Sequence, residues 1–313
     1  MRKPPSDPRA IIDELRDELS RQSFENEADV QRFLDARMQS YNTRPQPELG
    51  GLSPMQMSEL LAGDWHTIGP LRVNETLLPD DVGDPDLLHN AVAFLTTLRD
   101  EGPAKATAGG NLSREFVGRM LPRMRFRPGY LEDVRRMNKV IDEADVWPLG
   151  ILRHLLDLAR LVNRRKGFFH LSVTNRAFVQ EERRGALLAL LFRTFFQGMD
   201  LRFVEGWAGD EGLQQTIAFT FWKLRTEADT WTLPAYLAEV AWLESTKDPV
   251  TVSYTTEADF RASRFRRRVL DPLVSFGLLE SRDLPAANRW EHPIEVRKTP
   301  LYDRLLQFTF DRD

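Results

Sequence analysis

The chain has 313 residues, of which 42% are hydrophobic and 29% are charged, and it contains no cysteine. These proportions are typical of a globular protein and exclude a largely disordered chain. The lack of cysteine excludes a disulfide framework, a cysteine-ligated zinc site, an iron–sulfur cluster and a cysteine nucleophile. No apolar run approaches the length of a transmembrane helix, so we expect no membrane partner and a cytoplasmic location.

The charge is unevenly distributed along the chain. The net charge is −4 overall, but it is −8 over residues 1–100, +7 over residues 101–200 and −3 over the remainder. A basic middle third predicts either an anionic partner or internal pairing with the acidic first third, which would then cover it. Composition does not decide between the two.

Proline and small polar residues divide the first hundred residues into helices. Asp7-Pro8 precedes a stripe of apolar residues at helical spacing, and Ser53-Pro54 starts a short helix that Gly63 can end. Two prolines and two glycines interrupt the chain over residues 42–51. We expect helices that begin near residues 8, 27, 54 and 86, and an acidic loop before the last of them.

Short β segments are expected between the helices from residue 100 onward. Residues 105–108 form a candidate strand, Gly109-Gly110-Asn111 a turn, and Ser113 a cap for the next helix. Further helices are expected from residue 131, with a break at Trp147-Pro148, and over 181–198, 212–228 and 234–245. The predicted fold is therefore mainly α with short β-hairpins.

A weak internal repeat connects two parts of the chain. Near residue 150, a helix is followed by the hairpin pattern RLVNRRKGFFHLS and then by VTNRAFVQEE. Near residue 260, a helix is followed by LLESRD, a loop, IEVRK and then TPLYDRLLQF. Ser172 and Thr299 occupy matching cap positions, and residues 86–121 are a candidate third, degenerate copy. The repeat predicts units of helix, hairpin and helix.

The stretches SFGLLES and VRKTPLYDRLL resemble winged-helix domains, in which a helix precedes a strand, a hairpin wing and a Thr-Pro-Leu helix cap. Residues 149–180 and 86–121 are similar in decreasing degree, and YNTRPQPELGGLSPMQM resembles a segment of uncharacterised bacterial proteins. The resemblance implies a multi-unit, tandem winged-helix-like chain. Its parts are an N-terminal helical segment over 1–64, a degenerate winged-helix-like unit over 65–130, a helical middle domain with a hairpin over 131–250, and a C-terminal winged-helix-like domain over 251–313.

The resemblance implies contact with double-stranded DNA through the third helix and the wing, or a module that binds only protein. Arginines cluster beside the apolar stripe of the helix that begins near residue 257, and one lies in the expected wing. Arginine suits phosphate contact because its guanidinium is a rigid, permanently charged donor fork. The alternative is a solvated face that pairs with neighbouring acids. The DNA-binding candidates of this unit are Arg261, Arg264, Arg267, Arg268 and Arg289.

Two further basic clusters precede that unit. Arg164, Arg165 and Lys166 stand before Gly167 in the expected turn of the middle hairpin. They predict either a phosphate contact at a wing tip or a polar turn kept soluble by its charge. The third cluster contains Phe126 and could stack on single-stranded bases, but a linker held against an acidic neighbour is the favoured interpretation. Its arginines are Arg119, Arg123, Arg125 and Arg127.

Catalytic and cofactor signatures are not recognised in the sequence. The five histidines show no metal-ligand spacing, and neither a nucleophile elbow, a kinase signature nor a phosphate-binding loop is present. We therefore predict no cofactor, and an enzyme is the least favoured class. The helix over 187–196 is apolar on more than one face, which predicts deep burial or an interface with a protein partner or a second copy. The leading prediction is a non-catalytic winged-helix-type protein that binds DNA and has a regulatory role. The alternative is an interaction or scaffold protein that uses winged-helix folds without binding nucleic acid.

Overall fold

The computed structural model describes residues 8–206, 209–249, 255–285 and 293–310, and it falls into two compact units. The smaller unit extends to Ala62 and the larger one begins at Gly63. Both the helical content and the small sheets agree with the sequence, so the prediction of a mainly α fold with short hairpins is confirmed. Within the described ranges, the helices are too short or too polar to cross a membrane.

The smaller unit consists of helices, and the predicted helix start at Ser53-Pro54 is confirmed, whereas Asp7 lies outside the described residues. The Asn26 side chain accepts a hydrogen bond from the Asp29 amide, and Ser53 and Gln56 exchange reciprocal backbone–side-chain bonds. Such exchange satisfies amide groups that a helix start leaves without partners. The helices are α1 Pro8–Arg21, α2 Glu27–Thr43 and α3 Pro54–Ala62, with a 3₁₀ turn at Pro47–Leu49.

The first half of the larger unit encloses a three-stranded antiparallel sheet. Its elements are β1 Leu71–Val73, α4 Pro79–Val82, α5 Asp86–Asp100, β2 Ala104–Lys105, α6 Arg114–Met120, α7 Tyr130–Met137, α8 Trp147–Leu158, β3 Val162–Arg165 and β4 Phe168–Leu171. Strand β4 lies in the middle, with β2 on one side and β3 on the other. The sheet therefore joins residues from both sides of the predicted domain boundary between residues 130 and 131. The Ser113 cap is confirmed, since its hydroxyl accepts a hydrogen bond from the Phe116 amide.

The second half begins after two 3₁₀ turns, Arg176–Val179 and Glu181–Arg183, which replace the helix expected after the hairpin. The Asn175 side chain donates to the Arg160 carbonyl and ties this segment to the end of α8, which competes with helical pairing. The remaining elements are α9 Arg184–Arg193, a π turn Thr194–Gly198, α10 Glu211–Gln215, α11 Ile217–Glu227, α12 Pro234–Val240, α13 Glu257–Phe265, a π turn Arg266–Leu270, α14 Asp271–Ser275, β5 Leu279–Asp283, β6 Ile294–Lys298, α15 Pro300–Leu305 and β7 Leu306–Phe308.

Two small antiparallel pairs complete the larger unit. Strands β5 and β6 pair over five residues and lie between the α13–α14 segment and α15, so the predicted order of helix, hairpin and helix is present there. Strand β7 pairs with β1, and this joins residues more than 200 positions apart in the sequence. The Thr256 hydroxyl accepts from the Asp259 amide and caps the start of α13.

A cluster of aromatic rings forms the centre of the larger unit. The Phe192 ring lies 4.8 Å from Phe196, 5.3 Å from Phe221 and 5.4 Å from Phe276, measured between ring centroids. Helix α9 contributes Phe192 and is buried on several faces. Of the two alternatives for residues 187–196, the structure therefore supports deep burial. Packing this dense tolerates little change in side-chain volume.

Candidate nucleic-acid interface

A tight two-residue turn joins β3 to β4. Arg165 and Phe168 are opposite each other, and Lys166 and Gly167 between them have φ values of 52° and 77°. Two successive positive φ values are what a type I′ turn requires, and this turn matches the natural twist of a hairpin. The turn therefore places three successive cations, Arg164, Arg165 and Lys166, at the tip of the hairpin, with the Arg164 and Arg165 side chains on opposite faces of the sheet.

The register divides the side chains of this sheet between two faces. Residues directly opposite each other in antiparallel strands share a face, and successive residues alternate. Phe169 is buried opposite Ala104 and belongs to the inner face. On the outer face, Phe168 lies between Lys105 of β2 and Arg165 of β3, and Asn163 lies opposite His170.

The cations of the sheet are exposed and have no carboxylate partners within the described ranges. Lys105, Arg164, Arg165 and Lys166 are all exposed, and the ion pairs of the described residues involve none of them. Arg164 lies against the turn after β2, where a Cβ on Gly110 would stand 2.6 Å from its Nη1 atom. Gly110 has a φ of 87° and donates to the Thr107 carbonyl, as expected of a plain turn.

The arginines of α13 and of the π turn that follows it have a different environment. The Arg268 side chain is 1% exposed, and its Nε donates to a Glu205 carboxylate oxygen at 2.7 Å. Arg264 is 8% exposed and pairs with Asp210, whose backbone amide donates to Asp248. A charge held in a buried pair is shielded from an external phosphate. The expectation that Arg264 and Arg268 face a duplex is therefore not met, because both are buried in ion pairs.

The other predicted residues of the C-terminal unit are also dispersed. Arg261 pairs with Glu257 at 2.6 Å and donates to the Asp248 carbonyl. Arg267 is exposed and has no ion pair among the described residues, whereas Arg289 lies outside them. The α13 arginines thus do not form one exposed positive surface.

The basic linker is held against acidic neighbours, as the favoured interpretation predicted. Arg119 and Arg123 both pair with Glu101, at 2.7 and 2.5 Å, and Arg125 pairs with Asp84 at 2.5 Å. Arg127 is exposed and has no ion pair within the described part of the chain. Most of this cluster is therefore neutralised locally.

Helix α8 precedes the hairpin but presents no basic face. The Trp147 indole donates to the Val204 carbonyl at 2.9 Å, and the Phe203 ring packs against both Trp147 and His154. Arg153 pairs with Glu143, which is 3% exposed. The cations of the interface therefore come from the hairpin and β2 and not from the helix.

Four residues of the outer face were not recognised from the sequence, namely Lys105, Asn163, Phe168 and His170. A signal was available for three of them, because the alternation of N-R-R and F-F-H around the Lys166-Gly167 turn places every second residue on one face. The position of Lys105 carried no such signal, since β2 has only two residues. Among the described residues, no group of three histidines and carboxylates is placed to hold a metal ion.

One family model matches part of the chain. Residues 84–184 match the family model of the Y4jL N-terminal domain. No curated protein and no solved structure matches the chain. The matched residues contain all three strands of the β2–β4–β3 sheet and run through the sequence boundary at 130/131. The match covers less than half of the chain, so the similarity to this family is confined to the part that carries the hairpin.

Proposed function

We propose that the protein binds DNA without catalysis, through phosphate contacts made by Arg164, Arg165 and Lys166. The observation that carries this proposal is a run of three exposed cations that have no carboxylate partner within the described residues. Most arginines of the linker, of α13 and of the π turn after it are paired with acids, whereas the three cations of the hairpin tip have no ion pair among the described residues. Guanidinium groups at the end of a narrow hairpin can follow the phosphates of a groove edge.

The surrounding fold supports a winged-helix-type module over residues 86–171. A helix, a short strand, further helices and a hairpin follow one another, and the short strand pairs with the hairpin. The order of helix, hairpin and helix over residues 257–305 supports a second module of this type. In the first module α8 packs against residues 201–204, so the hairpin makes the contact. Regulation would then follow from occupancy of DNA and not from readout of bases by a helix.

The proposal is tested by fluorescence anisotropy of a labelled random-sequence duplex. Three phosphate contacts predict a slope of about −2.7 in log K against log salt, so affinity falls by about 40-fold between 50 and 200 mM salt. The triple variant Arg164→Gln, Arg165→Gln, Lys166→Asn should lose this salt-dependent binding. Asparagine is chosen at position 166 because it tolerates the positive φ of the turn.

A charge-matched control is available in α7 and the residues that follow it. Arg135, Arg136 and Lys139 are exposed, Arg136 pairs with Asp133, and replacement of the three by glutamine removes the same charge from a site outside the hairpin. The control variant should keep at least half of the wild-type affinity. Equal losses in the two triple variants would show that binding depends on net charge alone, and this would overturn the assignment to the hairpin.

A second candidate function is a protein contact through α8. Trp147, Ile151, His154 and Leu158 lie along one stripe of this helix, and Trp147 and Leu158 are 43% and 40% exposed. Phe203 covers part of this stripe, and the apolar surface that stays exposed at Trp147 and Leu158 is of the kind found at interaction surfaces. Sedimentation velocity tests self-association: a dimer that Leu158→Ser dissociates would favour this candidate, and a monomer up to about 100 µM would exclude a stable homodimer.

A further inference from the structure

The outer face of the β2–β4–β3 sheet carries two aromatic rings between its cations. Phe168 and His170 alternate on β4, with ring centroids 6.4 Å apart and planes inclined at 63°. The Phe168 side chain is apolar but 40% exposed, whereas the side chain of its neighbour Phe169 is buried in the core. The phosphate contacts proposed above make no use of either ring.

Polar groups surround the two rings on three sides. Lys105 and Arg165 are the direct cross-strand neighbours of Phe168, and Asn163 is that of His170. Directly opposed residues of an antiparallel pair have Cβ atoms about 5 Å apart, within reach of one nucleotide. Each ring therefore has a cation or an amide beside it, and Lys166 follows at the turn.

We infer that this face binds single-stranded nucleic acid, with two successive bases stacked on Phe168 and His170 and the phosphates held by Lys105 and Arg165. The inference rests on the proposed function and specifies the strand that is bound. A duplex hides the faces of its bases, whereas an unpaired strand exposes them to aromatic side chains. Asn163 can donate to or accept from the edge of a base on His170.

The distance between the rings agrees with an extended strand. Stacked nucleotides rise by about 3.4 Å along each strand of a duplex. The 6.4 Å between the ring centroids is almost twice that rise. Bases that rest on these two rings are therefore separated from each other, as the bases of an extended single strand can be.

The test compares one labelled 12-nucleotide sequence as single-stranded DNA, as single-stranded RNA and as duplex DNA, with the full chain in each case. We expect a single strand to bind about tenfold tighter than the duplex. Phe168→Leu keeps apolar bulk but removes the ring, and it should weaken single-strand binding by about fivefold or more with little change in the salt slope. Arg165→Gln should instead reduce the slope by about 0.7.

Phe203→Leu is the matched control, because Phe203 is 39% exposed and lies outside the sheet. This variant should bind as the wild type does, and Phe168→Tyr, which retains a ring, should restore the affinity lost in Phe168→Leu. If Phe168→Leu fails to fold by circular dichroism, His170→Gln tests the same face and should weaken single-strand binding at least threefold.

The outcomes separate this inference from the proposed function. Duplex binding as tight as single-strand binding, with Phe168→Leu equal to wild type, would overturn the stacking face and leave the phosphate contacts in place. Binding of none of the three oligonucleotides at 50 mM salt would overturn both. The inference would be supported if a single strand bound more tightly than the duplex and Phe168→Leu weakened that binding by about fivefold or more. Whichever of single-stranded DNA and single-stranded RNA binds more tightly identifies the preferred sugar.

Discussion

Two adjacent arginines in the segment that follows α13 have opposite environments. Arg267 is exposed, while Arg268 is buried against Glu205 and also donates to the Gly209 carbonyl at 2.8 Å. Asp210, which pairs with Arg264 in the same cluster, has a φ of 55° and is 1% exposed. A non-glycine residue in this conformation is held there by its surroundings. The cluster thus joins Glu205, Gly209 and Asp210 to α13 and to the π turn that follows it.

Removal of Arg268 should destabilise the protein strongly. Among the described residues, Arg268→Met leaves the Glu205 carboxylate, which is 3% exposed, with a single ion-pair contact, at 3.5 Å to Arg264. Breaking one side of a buried ion pair costs about 3 kcal/mol, since the remaining charge stays desolvated. Urea denaturation measures the free energy of unfolding.

The neighbouring position supplies the control for this change. Arg267→Gln alters an exposed side chain and should change the free energy of unfolding by about 0.5 kcal/mol or less. Equal stabilities of the two variants would mean that the buried cluster contributes nothing to the fold.

At the scale of elements, the backbone at the start of helix α9 lies directly against the backbone of the residues that precede α4. Gly185 lies at the start of α9, and a Cβ at this position would overlap the carbonyl oxygen of Leu77. The Leu77 carbonyl carbon would lie 2.9 Å away. Because that neighbour is backbone, it cannot rotate out of the way as a side chain can.

Gly185→Ala should therefore destabilise the protein by about 2 kcal/mol, in the range typical of overpacked sites. Gly118 in α6 is the matched control, because a Cβ there meets no atom within 4 Å. Gly118→Ala should be neutral or stabilising by up to about 1 kcal/mol, as alanine favours a helix. A thermal melt of both variants checks the prediction, and a higher Tm for Gly185→Ala than for the wild type would contradict it.

Local signals in the sequence were sufficient for many elements. The cap at Ser113 marks a helix start, and Gly167 after three basic residues marks a hairpin turn, since these features depend on neighbours in the chain. The pairing of β2 with β4 was not predictable, because two residues are too few to show an alternating pattern. The burial of Arg264 was equally hidden, since its partner Asp210 is 54 residues away.

At the scale of the whole chain, some acidic residues of the first third form ion pairs with basic residues of the middle third within the larger unit. Asp84 pairs with Arg125 and Arg184, and Glu75 pairs with Arg193. Burial raises the pKa of Asp84, but the hydrogen bond and charge of Arg125 outweigh it, so the pKa lies below its usual value. The hydrogen bond from Arg123 likewise lowers the pKa of Glu101. Internal pairing therefore accounts for several charges of both thirds.

These pairs predict a loss of stability in acid. A carboxylate whose folded pKa is lowered binds protons more weakly than in the unfolded chain, so its contribution is present above the unfolded pKa, about 4, and is lost as pH falls through the folded pKa. The Tm should fall between pH 5 and pH 3 by about 5 °C or more. Asp84→Asn should lower the Tm at pH 7 and make the acid-induced fall shallower.

Asp157→Asn serves as the control in these melts, because Asp157 is exposed and has no ion pair among the described residues. Its acid-induced fall should equal that of the wild type. If acid lowered the Tm of Asp84→Asn by as much as it lowers the Tm of the wild type, the ion pairs around Asp84 would not couple protonation to folding.

The pairing of β1 with β7 has a consequence for synthesis. Leu71 and Val73 are buried once Leu306–Phe308 lies beside them, yet the ribosome must add more than 230 residues before that partner exists. Until then β1 is an unpaired apolar edge, a state that invites association with other chains. The larger unit can therefore reach its final form only after translation of residue 308, and a nascent chain stalled earlier should depend on chaperones to stay in solution.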